Sequence, residues 1–261
     1  MIKKQWKETT GLIRELAITE FKLKYQGSAM SYLWSLLKPL ASFLILYIVF
    51  VKILKTGIEP EVLFLGIVLW SYFADFTSGG LTSIVEHGDL LRKVYFPRAI
   101  IVIATSVSAF ITLLLNLLAV GVFMIITRTE PSVYSPLLLL VLVELYIFAL
   151  GITLILSSLY VKFRDISHIW EVALQLLFYS SAILYPLSAV PKGLINWMAL
   201  NPVVQIVQDA RRALLDPSLP SSFTVIDRHW LAIVPYLLPF IIFTLGIIIF
   251  SKSSKNFAEN V

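Results

Sequence analysis

Residues 137–161, LLLLVLVELYIFALGITLILSSLYV, are apolar on every side and contain a single acidic residue, Glu144. A hydrocarbon core of about 30 Å needs roughly 20 mostly apolar helical residues for each crossing, and this stretch exceeds that length. It lacks the alternation of apolar and polar residues that a transmembrane β-barrel requires. The stretch therefore predicts a membrane-spanning α-helix.

Five further stretches have the same character, and the chain as a whole is 58% hydrophobic and only 14% charged. A soluble globule of 261 residues needs more polar side chains than this to cover its surface. The sequence thus predicts an all-α integral membrane protein with six transmembrane helices. The predicted spans are Trp34–Leu54, Val62–Ser83, Ala99–Ile126, Leu137–Val161, Ile169–Leu187 and Trp230–Phe250.

The distribution of Lys and Arg predicts how the chain is oriented. Segments placed in the cytoplasm carry 13 of these residues, and segments placed outside carry seven, four of them in one long loop. Because cationic loops resist translocation, both termini are predicted to be cytoplasmic. The first 30 residues contain no apolar run long enough for a secretory signal. Anchoring to anionic membrane lipids accounts for the net charge of +5, and no basic soluble domain suggests nucleic-acid binding.

Three regions outside the spans have helical character. Residues 1–33 predict an N-terminal amphipathic helix on the cytoplasmic surface, with a solvated charged tail as the alternative. Residues 84–98 combine charges with an apolar stripe and predict a short interfacial helix on the same side. Residues 188–229 are too apolar for a solvated loop, and their two apolar pieces are too short to span. They predict two extracytoplasmic re-entrant helices.

Motifs for catalysis or nucleotide binding are absent from the sequence. It contains no GxxxxGK[ST] phosphate loop, no HExxH or GxSxG motif, no cysteine and three scattered histidines. We expect no catalytic residue, no metal site and no bound cofactor in this chain. Any driving energy must then come from another protein.

Acidic residues within the predicted spans are few, namely Asp75, Glu144 and Glu171. Placing an ionised side chain at the middle of a transmembrane helix costs at least about 2.5 kcal/mol, so the presence of each of these residues calls for an explanation. Asp75 and Glu171 are predicted near the cytoplasmic ends of their spans, whereas Glu144 is deep. Pairing with a neighbouring helix and a role in a pore are equally open for Glu144. This scarcity argues against a carrier driven by protons or ions.

Aromatic side chains are abundant in and beside the spans. Flat rings with an O–H or N–H edge can stack on sugar faces and also form a hydrogen bond, which suits a polymer that must slide. The alternative for each such residue is the interfacial belt of Tyr and Trp that any membrane protein carries.

Five short stretches of the sequence form a recognisable series. They are KYQGSAMSYLWSLLKPL at 24–40, LRKVYFPR at 91–98, FRDI at 163–166, YPL at 185–187 with LNP at 200–202, and NFAE at 256–259. Taken in order, these stretches resemble the membrane subunits of ABC-2-type exporters for polysaccharides, including O-antigen, capsule and teichoic-acid transporters. One departure from that family concerns residues 180–182, where Ser-Ser-Ala replaces the Thr-Pro often found before the Tyr-Pro pair.

The resemblance implies one ABC-2-type transmembrane domain over residues 1–261, in the bacterial cytoplasmic membrane. It implies a homodimer that works with two copies of a separate ATPase subunit, which binds ATP and Mg²⁺. The implied function is that of a permease, not an enzyme in itself, for a lipid-linked polysaccharide. The alternatives are an ABC-2-type exporter of drugs or lipids and a membrane-embedded transferase.

The resemblance also implies roles for individual residues. The ATPase would dock on the 84–98 segment as a coupling helix, through Glu86, Asp89, Leu90, Leu91, Arg92, Lys93, Phe96 and Arg98. Arg164 and Asp165 would lie at a cytoplasmic gate or ATPase contact. The glycan pathway would be lined or flanked by Tyr32, Trp34, Trp70, Tyr72, Phe178, Tyr179 and Tyr185.

Overall fold

The computed structural model describes residues 11, 15–19, 31–93, 96–226 and 230–257. These residues are mostly helical and include no β-strand, which confirms the predicted all-α class. Of the amphipathic helix predicted over residues 1–33, residues 15–19 are helical and most of the remainder lies outside the described residues.

The described helices follow one another with short connections. Helix α1 continues as a π-helix over Tyr47–Ile53, and 3₁₀ turns precede α5 at Ser135–Leu137 and α10 at Leu231–Ile233. The helices are α1 (Ser31–Leu46), α2 (Pro60–Glu86), α3 (Gly88–Lys93), α4 (Ala99–Thr127), α5 (Leu138–Tyr160), α6 (Ile166–Ser180), α7 (Lys192–Ala199), α8 (Pro202–Leu214), α9 (Ser222–Val225) and α10 (Val234–Ser253).

Five of the helices within these ranges, α1 with its π-helical extension, α2, α4, α5 and α10, are long and apolar enough to cross a membrane. They correspond to five of the six predicted spans. The sixth, Ile169–Leu187, is not continuous, because α6 ends at Ser180 after 15 residues. That is about 22 Å at 1.5 Å per residue, less than a hydrocarbon core. The crossing of the membrane by α6 therefore stays a prediction.

The break after α6 coincides with the Ser-Ser-Ala departure noted in the sequence. Ala182 has φ of 49°, a left-handed conformation in which an L residue cannot continue an α-helix. Pro186 follows shortly and lacks the N–H that a resumed helix would need.

Helix α2 lies at the centre of the bundle. Of its membrane-span window, 72% is buried, compared with 11% for α1. It packs against α1, α4, α5, α6 and α8. Its Phe73 stacks on Phe148 of α5 with ring centroids 5.4 Å apart, and its Thr77 accepts a hydrogen bond from the Trp170 indole of α6 at 3.1 Å. Contacts to several helices make α2 the element that positions the others.

Helices α5 and α10 touch through backbone at two glycines. A Cβ added at Gly246 would lie 2.5 Å from the carbonyl oxygen of Gly151, and one added at Gly151 would lie 2.6 Å from the Cα of Phe243. Small residues permit this kind of close crossing between membrane helices.

Gly246→Leu is expected to separate α5 from α10 and to remove most of the monodisperse protein from size-exclusion profiles in detergent. The physical reason is that the added side chain must occupy the position of the Gly151 backbone. The matched control is Gly121→Leu on α4, where a Cβ meets no atom within 4 Å. Equal recovery of both variants would contradict this packing.

Helix α3 is shorter than the predicted 84–98 helix. Residues 84–86 belong to α2, which ends at Glu86, and His87 leaves helical geometry with φ of −100° and ψ of 20°. Residues 94–95 lie outside the described residues, and residues 96–98, which include Pro97, are not helical. The charged turn is therefore a six-residue helix on a bend between α2 and α4.

The region 188–229, for which two helices are predicted, contains α7, α8 and the four-residue α9 among its described residues. Helix α8 begins where the Asn201 side chain accepts a hydrogen bond from the Val203 N–H at 2.9 Å, with Pro202 in the first turn. Most of α8 is buried, and it packs against α2, α5 and α10. Residues 227–229 lie outside the described residues. Re-entry of these helices into the membrane stays a prediction.

Candidate functional site

A cavity of about 730 Å³ lies between α1, α2 and α4, and α6 contributes one residue to its wall. Its lining includes four of the seven residues predicted for the glycan pathway, namely Trp34, Trp70, Tyr72 and Phe178. We refer to this space as the α1–α2–α4 cavity.

The aromatic residues that line this cavity differ in the exposed fraction of their side chains. Trp34 is 56% exposed in the isolated chain, whereas Trp70 is 9% and Tyr72 is 4% exposed. Trp70 packs on Phe178 with ring centroids 5.5 Å apart, and Phe178 contacts Tyr179 at 5.4 Å. The buried rings therefore form the back of the cavity, and Trp34 presents an open face to whatever enters.

Polar groups from three helices converge on the same cavity. Lys38 of α1 and Asp75 of α2 bring charges of opposite sign to its wall. Asn116 of α4 donates to the carbonyl oxygen of Thr112 at 2.9 Å, and its own Oδ1 has no hydrogen-bond partner among the described residues. A cation, a carboxylate and an amide oxygen next to open aromatic surface can together bind hydroxyl and charged groups of a sugar chain.

Sequence reasoning gave no pathway role to Lys38, Asp75 or Asn116. Helix α2 continues for 11 residues beyond Asp75 to Glu86, and the predicted place of Asp75 near the cytoplasmic end of its span stays a prediction. Lys38 follows Trp34 by four residues, which places both on one helical face, and this spacing was the available signal. The position of Asn116 depends on the packing of α4 against α1, which the sequence does not reveal.

The other predicted pathway residues lie elsewhere. Tyr185 donates to the carbonyl oxygen of Tyr179 at 2.8 Å, in the segment after α6, and neither residue lines the α1–α2–α4 cavity. The Tyr179 ring is 57% exposed. The side chain of Tyr32 lies outside the described residues.

The residues predicted to couple to an ATPase divide between surface and interior. The side chains of Glu86, Asp89 and Arg92 are exposed. Leu91 is only 8% exposed and packs into the core, so it anchors α3 to the bundle. The partly buried members are Leu90, Phe96 and Arg98, and the side chain of Lys93 lies outside the described residues.

The two predicted gate residues are exposed in the turn before α6. The Arg164 guanidinium lies over the Tyr160 ring, 5.2 Å from its centroid, which is a cation–π distance. Asp165 occupies the N-cap position of α6, but its side chain makes no capping hydrogen bond there. Among the described residues, no group of three or more His, Cys, Asp or Glu side chains is placed to hold a metal ion.

The profile of the ABC-2 type transporter family matches residues 12–215, which include the α1–α2–α4 cavity, α3 and α8. The chain belongs to the ABC-2 type transporter family.

The relatives of this ABC-2 chain include O-antigen export permeases and a polysialic acid transport protein. The chain is 31% identical over 219 residues to an O-antigen export system permease protein of Myxococcus xanthus, covering 81% of this chain and 83% of that relative. A Klebsiella pneumoniae protein of the same description is 26% identical over 243 residues, or 92% and 91% of the two chains. A polysialic acid transport protein of Escherichia coli is 24% identical over 214 residues, or 78% and 81%.

Glu144 of α5 contacts α8 within the same chain of this ABC-2 domain. The Gln205 Nε2 donates to Glu144 Oε2 at 3.2 Å and to Asp209 Oδ2 at 2.9 Å, so one amide group joins the two carboxylates. Burial raises the pKa of the Asp209 carboxyl, although hydrogen bonds from Gln205 and Tyr236 oppose the shift. This geometry supports pairing of Glu144 with a neighbouring helix.

Arg211 is the most enclosed charged residue in the described part of the ABC-2 domain, with 1% of its surface exposed. Its Nε donates to the carbonyl oxygen of Val62 at 3.0 Å, and its Nη1 and Nη2 donate to those of Ala182 and Ile183, both at 2.9 Å. Arg211 thereby joins α8, the start of α2 and the break after α6. Sequence reasoning treated it as a loop charge, and only its position within an apolar run suggested burial.

Proposed function

We propose that this chain is the permease subunit of an ATP-driven exporter that moves a lipid-linked polysaccharide across the bacterial cytoplasmic membrane. The observation that carries the proposal is the α1–α2–α4 cavity, where an open Trp34 face lies beside Lys38 and Asp75. Such a surface suits a polymer of hydroxyls and occasional charges. The named relatives, which are O-antigen export permeases and a polysialic acid transport protein, support the same substrate class.

The polysaccharide path is proposed to lie between two copies of the chain. Helix α6 has no buried residue in the isolated chain, and Glu171, Gln175 and Tyr179 follow one another at four-residue intervals on its exposed side. Such a polar stripe is costly against lipid hydrocarbon. A second copy facing it would enclose a water-filled space, which the adjoining Phe178 connects to the α1–α2–α4 cavity.

ATP hydrolysis is assigned to two copies of a separate subunit that docks on α3. The exposed Asp89 and Arg92 provide charged contacts for it, and the buried Leu91 fixes α3 to the core. Force applied to α3 would then reach α2 and α4, between which it lies. We therefore propose that α3 and both termini lie in the cytoplasm, as the Lys and Arg distribution predicts.

Trp34→Ala is expected to lower surface polysaccharide several-fold, because an aromatic contact contributes about 0.5–1.5 kcal/mol beyond its buried area. The measurement is the polysaccharide displayed by cells whose only copy of this chain is the variant. Trp197→Ala is the control, since Trp197 is 75% exposed on α7 and does not line the cavity. Unchanged display with Trp34→Ala would contradict the proposed contact.

Substrate class is tested by ATPase activity of the permease–ATPase complex in proteoliposomes. Lipid-linked polysaccharide is expected to stimulate ATP hydrolysis, whereas hydrophobic drugs and free phospholipids are not. Stimulation by drugs or lipids with no response to polysaccharide would favour the other exporter classes. Modification of a lipid acceptor by the purified chain without an ATPase would favour a transferase.

A further inference from the structure

A second cavity, of about 490 Å³, lies between the start of α5, the end of α8 and the start of α10. It is separate from the α1–α2–α4 cavity, with which it shares no lining residue. We refer to it as the α5–α8–α10 cavity. The proposed export function makes no use of it.

One side of this cavity is apolar and faces the outside of the bundle. Leu137 is 49% exposed and Leu140 is 66% exposed, and both line the cavity at the beginning of α5. Helix α5 is one of the membrane-spanning candidates, so these leucines lie on a surface that lipid chains would cover. The mouth of the cavity is therefore accessible from the bilayer.

The inner wall of the cavity is polar. It carries two acidic residues, Glu144 and Asp209, and one basic residue, Arg212. Tyr236 of α10 also lines it and donates a hydrogen bond to Asp209 of α8. Gln205, which is fully buried, donates its single amide nitrogen to both carboxylates. The second oxygen of Glu144 is shielded from solvent and has no hydrogen-bond partner among the described residues. That oxygen can therefore accept a hydrogen bond from a donor on a ligand that enters the cavity.

The charge balance of the wall specifies what that donor should be. Two carboxylates face one guanidinium, and Tyr236 is the remaining polar group of the inner wall, so a cationic donor fits between Glu144 and Asp209. The Arg212 guanidinium uses one donor on the carbonyl oxygen of Leu219, and a guanidinium has five N–H groups in all. Donors therefore remain for an anion beside the cation.

We propose that the α5–α8–α10 cavity binds the headgroup of a zwitterionic phospholipid with a primary ammonium group. The ammonium lies between Glu144 and Asp209 and the phosphate faces Arg212, while the cavity opens toward the bilayer beside Leu137 and Leu140. A primary ammonium supplies three N–H donors, one of which reaches the unpaired Glu144 oxygen. A quaternary ammonium supplies none, so the site discriminates between headgroups by hydrogen bonding as well as charge.

The test is native mass spectrometry of the purified chain incubated with equal amounts of phosphatidylethanolamine, its N-methyl and N,N-dimethyl forms, phosphatidylcholine and phosphatidylglycerol. The amount of lipid retained by the protein is expected to fall at each methylation. For phosphatidylcholine it is expected to be about tenfold lower than for phosphatidylethanolamine, because a charge-assisted hydrogen bond is lost. Equal retention across the methylation series, or preferential retention of phosphatidylglycerol, would overturn the proposal. No ATPase or polysaccharide is present, so the result is independent of the proposed export function.

A double variant tests whether the preference for phosphatidylethanolamine arises at this cavity. The double substitution Glu144→Gln with Asp209→Asn keeps the shapes of both side chains and is expected to remove the preference for phosphatidylethanolamine. The control is Glu130→Gln, an exposed acidic residue in the loop before α5 that does not line the cavity. Persistence of the preference in a folded double variant would overturn the assignment. If the double variant does not fold, the methylation series on the unmodified chain decides alone.

Discussion

Arg211→Met is expected to abolish recovery of folded protein, the largest effect on stability that the structure predicts for a single side chain. The substitution fills a similar volume but leaves the carbonyl oxygens of Val62, Ala182 and Ile183 without their donors. Each buried carbonyl that loses its partner costs about 1–3 kcal/mol. Together these three costs are a large part of the free energy of unfolding of a typical domain, which is roughly 5–15 kcal/mol.

Arg211→Lys is expected to be nearly as damaging, although it keeps the positive charge. The three acceptors belong to two separate segments, and the planar guanidinium reaches them in three directions. A lysine ammonium is a compact charge without this fork. A lysine variant as stable as the original chain would show that charge alone matters at this position.

The measurements are the recovery of monodisperse protein and, for each variant that is recovered, the midpoint of thermal unfolding followed by fluorescence-detected size exclusion in detergent. Arg128→Met is the matched control, because Arg128 is an exposed residue at the end of α4. We expect a midpoint close to that of the unmodified chain for this control. Similar midpoints for Arg211→Met and the control would contradict the role of Arg211 in joining α8 to the break after α6.

Arg92→Glu with Lys93→Glu is expected to stop polysaccharide export while the permease remains folded, the largest effect on function. Arg92 is exposed on α3, and Leu91, which holds α3 to the core, is unchanged. Reversing two charges at a docking surface puts like charges where opposite ones met, which costs several kcal/mol in a complex. The ATPase should therefore no longer copurify with the permease at physiological ionic strength.

The control for this substitution is Lys252→Glu, which reverses an exposed charge near the end of α10. Display of polysaccharide, copurification of the ATPase and the size-exclusion profile are measured for both variants. Normal export by the α3 variant would refute α3 as the coupling element. Loss of the size-exclusion peak would instead assign the residues to folding of the permease.

Composition and apolar run length were sufficient to predict α2, α4, α5 and α10. In lipid the backbone must satisfy its own hydrogen bonds, so a long apolar run has few other structures available. The break after α6 could not be predicted in the same way. The left-handed Ala182 and the nearby carbonyls are held by Arg211, nearly 30 residues later in the chain. A tertiary contact of this kind leaves no local pattern.

The candidate site was predictable only in part, for the same physical reason. Trp34, Trp70 and Phe178 could be proposed because their chemistry suits sugars wherever they lie. Asp75 received no pathway role because its place on the cavity wall depends on the packing of α1 and α4 against α2. Asn116 joins the cavity through the packing of α4 against α1, and its contribution is visible only once both helices are placed.

The decisive experiment is transport by the purified permease and its ATPase in proteoliposomes supplied with fluorescent lipid-linked polysaccharide. The polysaccharide is expected to cross the membrane only when ATP, Mg²⁺ and both proteins are present, and Trp34→Ala is expected to slow the transfer. Hydrolysis of ATP by the permease alone, or transfer that continues without the ATPase, would contradict the proposed function.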